Sequence, residues 1–361
     1  MPIRTILLFG GRSAEHEVSI LSARSVAEAA PKARIEIVPV CIAKDSRFIA
    51  PERSARVIDG GESSARGDDD FSFETWVRGA AIDIVFPLIH GTDGEDGTLQ
   101  GFLDILALPY VGSGVAASAI GMDKGHMKYA FAAAKLPMVD FVQVLENDWH
   151  NERERIMRAV NNALRLPYFV KPANGGSSVG VTKVKNDADL GAAIEKAFRF
   201  DEKALVERGI DAREIEVAVL GNDDPQASVP GEIVAGAEFY DYEDKYVDDK
   251  TQLIIPAKLP KEKAEEIRRM AVTAFKAIGA SGFARVDFFL EHGKNRLYVN
   301  EINTIPGFTK ISMYPKLWEA TELRYSGLIE RLIELGLERF RARAARQESA
   351  MKWFDEVKGI V

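Results

Sequence analysis

Residues 282–307 read GFARVDFFLEHGKNRLYVNEINTIPG. Two strand-like runs flank the turn-forming EHGKN, which predicts an antiparallel hairpin. A turn centred near residue 294 sets Asp287 opposite Glu301 and Arg285 opposite Asn303. Strand alternation then gathers these four side chains on one face. Two carboxylates and an amide oxygen are hard ligands suited to Mg²⁺, an ion that usually shares its shell with substrate phosphates. The alternative is a ladder of cross-strand ion pairs. Asp287 facing Glu301 argues against it, because like charges directly opposite repel unless a cation lies between them.

Upstream, KPANGGSSVG (171–180) follows a short apolar run. Backbone N–H groups of such a loop can cradle phosphate oxygens, with Lys171 as a point charge at its edge. No Gly-Lys-Ser/Thr opens a helix, so it is not a Walker loop, and taken alone a surface turn explains it equally well. FGGRSAEHEVS (9–19) lacks G-x-G-x-x-G, and its Glu15 and Glu17 suit the first turn of a helix. Hydrolytic signatures are missing: there is no G-x-S-x-G elbow turning from a strand straight into a helix (the GSSVG at 176–180 lies within the glycine-rich loop), no H-E-x-x-H and no cysteine pair. Of five scattered histidines, His90 stands out, at a strand end before GTDGEDG. Glu95 and Asp96 in that segment read as turn or helix-cap residues.

The chain of 361 residues is 46 % apolar and 28 % charged, which suits two or three folded domains. Lys plus Arg (47) less Asp plus Glu (55) leaves −8, a balance that disfavours non-specific nucleic-acid binding. Cys41 is the sole cysteine, so no intrachain disulfide forms, and a reducing cytosol fits. The apolar run Ile6–Phe9 is too short for a signal peptide, and Ile105–Met122 is broken by Pro109 and several glycines. A soluble cytoplasmic protein without a membrane segment is expected.

Apolar runs at 5–10, 35–42 and 82–89, separated by helix-length segments, predict a parallel α/β sheet over the first 120 or so residues. Helices are expected at 124–135, from a cap at Asn151 towards Pro167, at 187–200, at 261–278 ending on Gly279, and from about 325. Strands are expected at 168–171, 204–207, 214–220 and 228–237, with a long polar loop at 240–252.

In order along the chain, GGRSAEHEVS, HGTDGEDGTLQG (90–101), YVGSG (110–114), MDK (122–124), KPANGGSSVG, FYDYEDKY (239–246), ARVDFF (284–289) and NEINTIPGFTKISMYPKLW (300–318) resemble D-alanine–D-alanine ligases of the ATP-grasp superfamily. The likeness runs from about residue 5 to about 335. It implies an α/β fold, α+β in its C-terminal part: a Rossmann-like domain (1–122), a central ATP-grasp subdomain (123–213), a C-terminal ATP-grasp subdomain (214–345) with a lid (240–252), and a terminal helix or tail (346–361). It also implies ATP, D-alanine, two Mg²⁺ ions for which Mn²⁺ can substitute, a homodimer, and a role in peptidoglycan synthesis.

By the same resemblance, Lys124, Lys171 and Lys245 hold ATP phosphates, and the loop bearing Gly176, Ser177 and Ser178 closes over them. Glu207, Arg208, Gly209 and Ile210 form the hinge that receives adenine, and Glu214 binds ribose. Many relatives have lysine where Arg208 stands. Asp287, Glu301 and Asn303 match the metal ligands, with Glu301 bridging. Arg285 and the N–H of Gly307 match the oxyanion donors. Glu15 takes the first substrate's ammonium, with His90 near its carboxylate, while Ser312 and Met313 meet the carboxylate of the second. Glu15, Ser177 and Tyr246 form a trio that pins the closing loop. The competing readings are a ligase joining D-alanine to D-lactate or D-serine or acting on larger carboxylates, and a nucleotide sensor that has kept the fold.

Overall fold

The structure is a computed structural model that describes residues 1–64, 71–176, 179–234 and 252–358. In the first part β1 (Ile3–Gly10), α1 (His16–Ala29), β2 (Ile35–Ile42), β3 (Phe48–Ile49), α2 (Pro51–Ile58), α3 (Phe73–Gly79) and β4 (Ile84–Pro87) follow in sequence. Their sheet has the order β3-β2-β1-β4, with β1 parallel to both β2 and β4 and the short β3 antiparallel to β2. The apolar runs of the sequence become these buried parallel strands, flanked by helices as their hydrophobicity on both faces requires. Helices α4 (Thr98–Ile105), α5 (Val115–Met122) and α6 (Lys124–Ala133) lead onward.

The second sheet has the order β5-β8-β6-β7, built from β5 (Phe141–Leu145), β6 (Tyr168–Pro172), β7 (Thr182–Val184) and β8 (Lys203–Arg208). It is antiparallel throughout and is covered by α7 (Glu146–Ala163) and α8 (Leu190–Ala197). The helix expected from Asn151 begins earlier, at Glu146. It is kinked where Glu152 takes φ −137° and ψ 35°, and Asn151 Nδ2 donates to the Asn147 carbonyl at 2.8 Å. The cap-like residue therefore marks a break between two helical turns rather than a start.

In the third sheet the path is β12-β11-β9-β13-β14, with β10 pairing β9. Its strands are β9 (Ala212–Gly221), β10 (Gln226–Ala227), β11 (Gly231–Val234), β12 (Gln252–Ile254), β13 (Gly282–Glu291) and β14 (Leu297–Asn303). Of the strand expected at 228–237, Gly231–Val234 is strand, 228–230 with Pro230 precede it as irregular chain, and 235–237 lie outside the described residues. Behind this sheet lies α9 (Lys261–Ala277). Its end was legible: Gly279 sits at φ +70°, and Ala280 N–H reaches back to the Phe275 carbonyl at 3.0 Å, a Schellman closure. Helices α10 (Met313–Glu319) and α11 (Tyr325–Lys358) complete the chain, and α11 is exposed throughout 341–358.

Hydrophobic cores do not follow the sheets one to one. Leu7, Phe9 and Phe86 of the first sheet share a core with Phe283, Phe308, Tyr314, Leu328 and Leu332. Met127 and Phe131 of α6 pack with Val217 and Val286 of the third sheet and Phe275 of α9. The second sheet has a core of its own, including Val144, Trp149, Tyr168, Ile194 and Val206. Among the described residues no helix is long and apolar enough to cross a membrane.

Candidate active site

The β13–β14 hairpin pairs Arg285 with Asn303 and Asp287 with Glu301, the pairing expected from the turn. Nearer the turn the ladder slips by one: Phe288 pairs with Val299, and Asn300 is the extra residue of a bulge. The bulge lets Val299 and Ile302, three apart, both face the core while Glu301 and Asn303 face the site. On the other side of β13, Asp287 pairs with Glu216 of β9. Glu216, Asp287 and Glu301 thus stand in one row across three adjacent strands. Glu216 was not singled out in the sequence, although alternation along β9 puts it on the face of Glu214.

Arg285 neutralises part of that row. Its Nε and a terminal nitrogen each donate to Asp287 at 2.7 Å, and Nε lies 3.0 Å from Glu216. Burial opposes the guanidinium charge, but Asp287, Glu216 and Glu301 outweigh it and hold the arginine well above its ordinary pKa. Asn303 Nδ2 donates to Asp287 at 3.0 Å. Three carboxylates against one guanidinium leave two negative charges, and the donors are hard oxygens. That set fits Mg²⁺, with Asp287, Glu301 and Asn303 as holders and phosphate oxygens completing the shell. Among the described residues no three carboxylate, imidazole or thiol groups converge closely enough to hold a metal by themselves.

Beyond Asn303 the chain runs through Ile305 to Gly307, and two residues of the first sheet's far edge hold it there. His90 Nδ1 lies 3.0 Å from the Ile305 carbonyl and Glu95 Oε1 accepts from Ile305 N–H at 3.2 Å. Facing a carbonyl, Nδ1 must carry the proton, and Nε2 meets Ser22 Oγ at 3.1 Å. Burial lowers the His90 pKa and keeps the ring neutral. Glu95 Oε2 also accepts from Gly91 N–H at 2.9 Å. Burial and the nearby charge of Glu15 push its pKa up to about 8. Asp96 is the turn and cap residue of this segment, accepting from Asp93 N–H at 2.8 Å and Thr98 N–H at 2.9 Å. Glu95 does something else. It ties residues 210 positions apart.

Glu15 stands at the start of α1 without capping it. A Cβ placed on Gly91 or Gly176 would lie 2.9 or 3.1 Å from its Oε2, so its carboxylate touches the glycine-rich loop as well as the 90–97 segment. Gly307 lies beside Ser312, whose Oγ accepts from Thr309 N–H at 3.1 Å at the start of α10. Met313 turns its side chain into the core, leaving its backbone to the loop. Ser177, Ser178, Lys245, Tyr246 and the lid 240–252, apart from Gln252 in β12, lie outside the described residues.

A second group lies between the second and third sheets. Lys124 Nζ donates to the Gly175 carbonyl at 2.6 Å, and Lys171 Nζ lies 2.6 Å from Glu207. The charges of Glu207, Glu301 and Glu214 all act on Lys171, which places it between Glu207 and the carboxylate row. Burial disfavours the Glu207 carboxylate, yet Lys128 and Lys171 hold its pKa down at about 2. Gly209 N–H donates to Pro167 O at 2.7 Å, and Ile210 lies next in the connection to β9. The Arg208 guanidinium is engaged by Asp140 at 3.1 Å and lies over the Tyr298 ring at 5.9 Å.

Two sequence families match this chain, described as D-ala D-ala ligase N-terminus (residues 4–113) and D-ala D-ala ligase C-terminus (residues 130–334). A D-alanine–D-alanine ligase of Halothermothrix orenii is 49 % identical over 93 % of this chain and 98 % of its own length. One from Chlorobaculum parvum is 46 % identical over 94 % and 98 %. Among solved structures, the D-alanine-D-alanine ligase of Coxiella burnetii matches with a TM-score of 0.81 at 34 % identity, covering 100 % of this chain and 99 % of that one. The VanG D-Ala:D-Ser ligase of Enterococcus faecalis also gives 0.81, at 32 % identity over 93 % and 100 %. With both halves matched and the mixed α/β sheets arranged as in an ATP-grasp fold, the chain belongs to the D-alanine–D-alanine ligase family.

Proposed function

We propose that this protein joins two D-alanine molecules at the expense of ATP, through an acyl phosphate, to supply peptidoglycan synthesis. The full-length identity to D-alanine–D-alanine ligases carries the reading. The row Glu216–Asp287–Glu301 with Arg285 provides the chemistry. A carboxylate is a poor acyl donor, so the first D-alanine is phosphorylated before the second attacks. Mg²⁺, when bound, neutralises the phosphoryl group in transfer.

The chain's own residues do the rest. Lys124, Lys171 and Lys245 meet the phosphates, with Gly176, Ser177 and Ser178 in the loop above them. Glu207, Arg208, Gly209 and Ile210 line the adenine hinge and Glu214 takes the ribose. Arg208 does so while held by Asp140, so its backbone and aliphatic stem face the base. Glu15 receives the ammonium of the first substrate. His90 lies near that substrate's carboxylate, which its Nε2 can meet only if the ring takes up a second proton. Ser312 and the Met313 backbone receive the carboxylate of the second.

Arg285 and Gly307 N–H stabilise the tetrahedral oxyanion. His90 and Glu95, by gripping Ile305, fix where Gly307 N–H points. Tyr246, with Ser177 and Glu15, pins the lid that keeps water from the acyl phosphate. The division into 1–122, 123–213, 214–345 and 346–361, the homodimer and the cytoplasmic location belong to the same reading.

Phosphate release from ATP and Mg²⁺ with D-alanine, D-serine or D-lactate as second substrate tests it. D-alanyl-D-alanine as main product is expected. Preference for D-serine or D-lactate would reassign the acceptor, and no D-alanine-dependent turnover would overturn the reading.

A further inference from the structure

Lys128 has no part in the assignments above, yet it is among the largest fully buried side chains of the protein. It follows Lys124 by four residues on α6, so both point to the same side of that helix. Its ammonium lies 2.9 Å from one oxygen of Glu207, while the other oxygen holds Lys171 at 2.6 Å. The Phe141 ring closes over it at 5.2 Å. The three side chains are 0, 3 and 12 % exposed for Lys128, Glu207 and Lys171. One buried carboxylate therefore carries two cations, where one would neutralise it.

A second buried ammonium is costly to desolvate, so its presence calls for a reason. Lys171 supplies one. Read as a phosphate ligand, it must give up much of its contact with Glu207 when nucleotide arrives. Alone, that move would strand a buried carboxylate, among the most unfavourable arrangements in a protein interior. We propose that Lys128 is a positioning residue, a resident counter-ion that keeps Glu207 neutralised so that Lys171 is free to turn to the phosphates of the nucleotide. The proposal rests on the assignment of Lys171 and Glu207 to the ATP site.

Lys128 suits this task because it has no other outlet. With its side chain wholly enclosed behind Glu207, it reaches neither solvent nor ligand. Burial lowers its pKa, Lys171 lowers it further, and Glu207 opposes both. When Lys171 leaves, one of the two influences against the charge disappears and the carboxylate is no longer shared. The Lys128–Glu207 pair tightens as the nucleotide binds.

A purely structural Lys128, fastening Glu207 and the hinge, would support the base as much as the phosphates. Calorimetric titration of the full chain with ADP and with adenosine separates the two. In Lys128→Met, the counter-ion role requires ADP affinity to fall at least tenfold while adenosine affinity and the KM for D-alanine stay within twofold. Adding Glu207→Gln removes the carboxylate that would be stranded, and should return the ADP-to-adenosine affinity ratio to within threefold of wild type. Equal losses for ADP and adenosine, or an unchanged ratio in Lys128→Met, overturn the proposal while leaving the ligase reading intact.

If Lys128→Met does not fold, the double variant, lacking both buried charges, carries the test. A ratio preserved there supports the proposal, and a ratio lowered tenfold overturns it. Wild-type protein that binds neither ligand overturns the nucleotide assignment and this inference with it.

Discussion

Asp287 faces Glu301 across the β13–β14 ladder because Asn300 is bulged out of it. With the register that holds from Phe288 to Leu290 continued unbroken, Asp287 would face Asn300 and Glu301 would turn to the other side of the sheet. The bulge costs the hairpin some regularity and gives two carboxylates a common focus.

That focus predicts the behaviour of Glu301→Gln. Losing one of the row's negative charges removes a proposed Mg²⁺ ligand, so ATP turnover should be nearly abolished at every Mg²⁺ concentration. Chelation of divalent ions should do the same to wild type. Mg²⁺ titration of ADP release checks both, and a normal Mg²⁺ dependence in the variant would remove the metal assignment.

Arg285→Ala should lower kcat by the loss of one oxyanion donor, about 3–4 kcal/mol of transition-state stabilisation. Because Arg285 also neutralises Asp287 and Glu216, the variant should melt at lower temperature in the absence of divalent ions. Steady-state kinetics decides the first point. A kcat within threefold of wild type would leave Arg285 only its partnership with those carboxylates.

Glu95 makes stability depend on pH in an uncommon direction. Its folded pKa of about 8 lies above its ordinary 4.5. Between those values the folded protein keeps a proton that the unfolded chain has released, so stability falls as pH rises through this window and levels off above it. The slope contributed is at most about 1.4 kcal/mol per pH unit. Glu95→Gln cannot ionise, so urea unfolding at several pH values should show the variant gaining on wild type from pH 5 to pH 8. A constant difference would mean that Glu95 is ionised throughout.

Tyr246→Phe keeps the ring and removes the hydroxyl proposed to hold Ser177. Loss of that bond, roughly 1–3 kcal/mol if the partner is buried, should loosen the pocket of the second substrate. D-lactate should then compete with D-alanine as acceptor in product analysis. Unaltered dipeptide kinetics with continued rejection of D-lactate would take Tyr246 out of the site.

Much of this was legible beforehand, for physical reasons that also mark the limits. Hairpin pairing is local: a turn signal and alternation placed Arg285, Asp287, Glu301 and Asn303 together, although neither announces a bulge at Asn300. The stop of α9 at Gly279 was readable because the signal sits within a turn of what it controls. The turn reading of Glu95 holds for its bond from Gly91 N–H, but its tie to Ile305 was missed, because that partner is distant in the chain and is a backbone group, which leaves no side-chain signature. Lys128 and Glu207 are likewise joined only by the tertiary fold, and a lysine on a helix reads as solvated until the packing around it is known. Glu216 was within reach, since Glu214 was already assigned to the site face of the same strand.

The second sheet keeps a core of its own, and the contacts joining it to its neighbours include Lys128–Glu207, Lys203–Asp123, Lys124 with the Gly175 carbonyl, and Arg208 over Tyr298. The first and third sheets share apolar side chains and cannot part without wetting them. If the proposed nucleotide cleft widens with Lys128–Glu207 kept intact, what parts is mainly the rest of these polar seams, and little hydrocarbon beyond the Tyr129–Phe141 ring contact meets water. A transition of that kind has a small heat-capacity change. Its enthalpy stays nearly constant with temperature, so the balance of open and closed forms should follow a straight van't Hoff line while global unfolding follows a curved one.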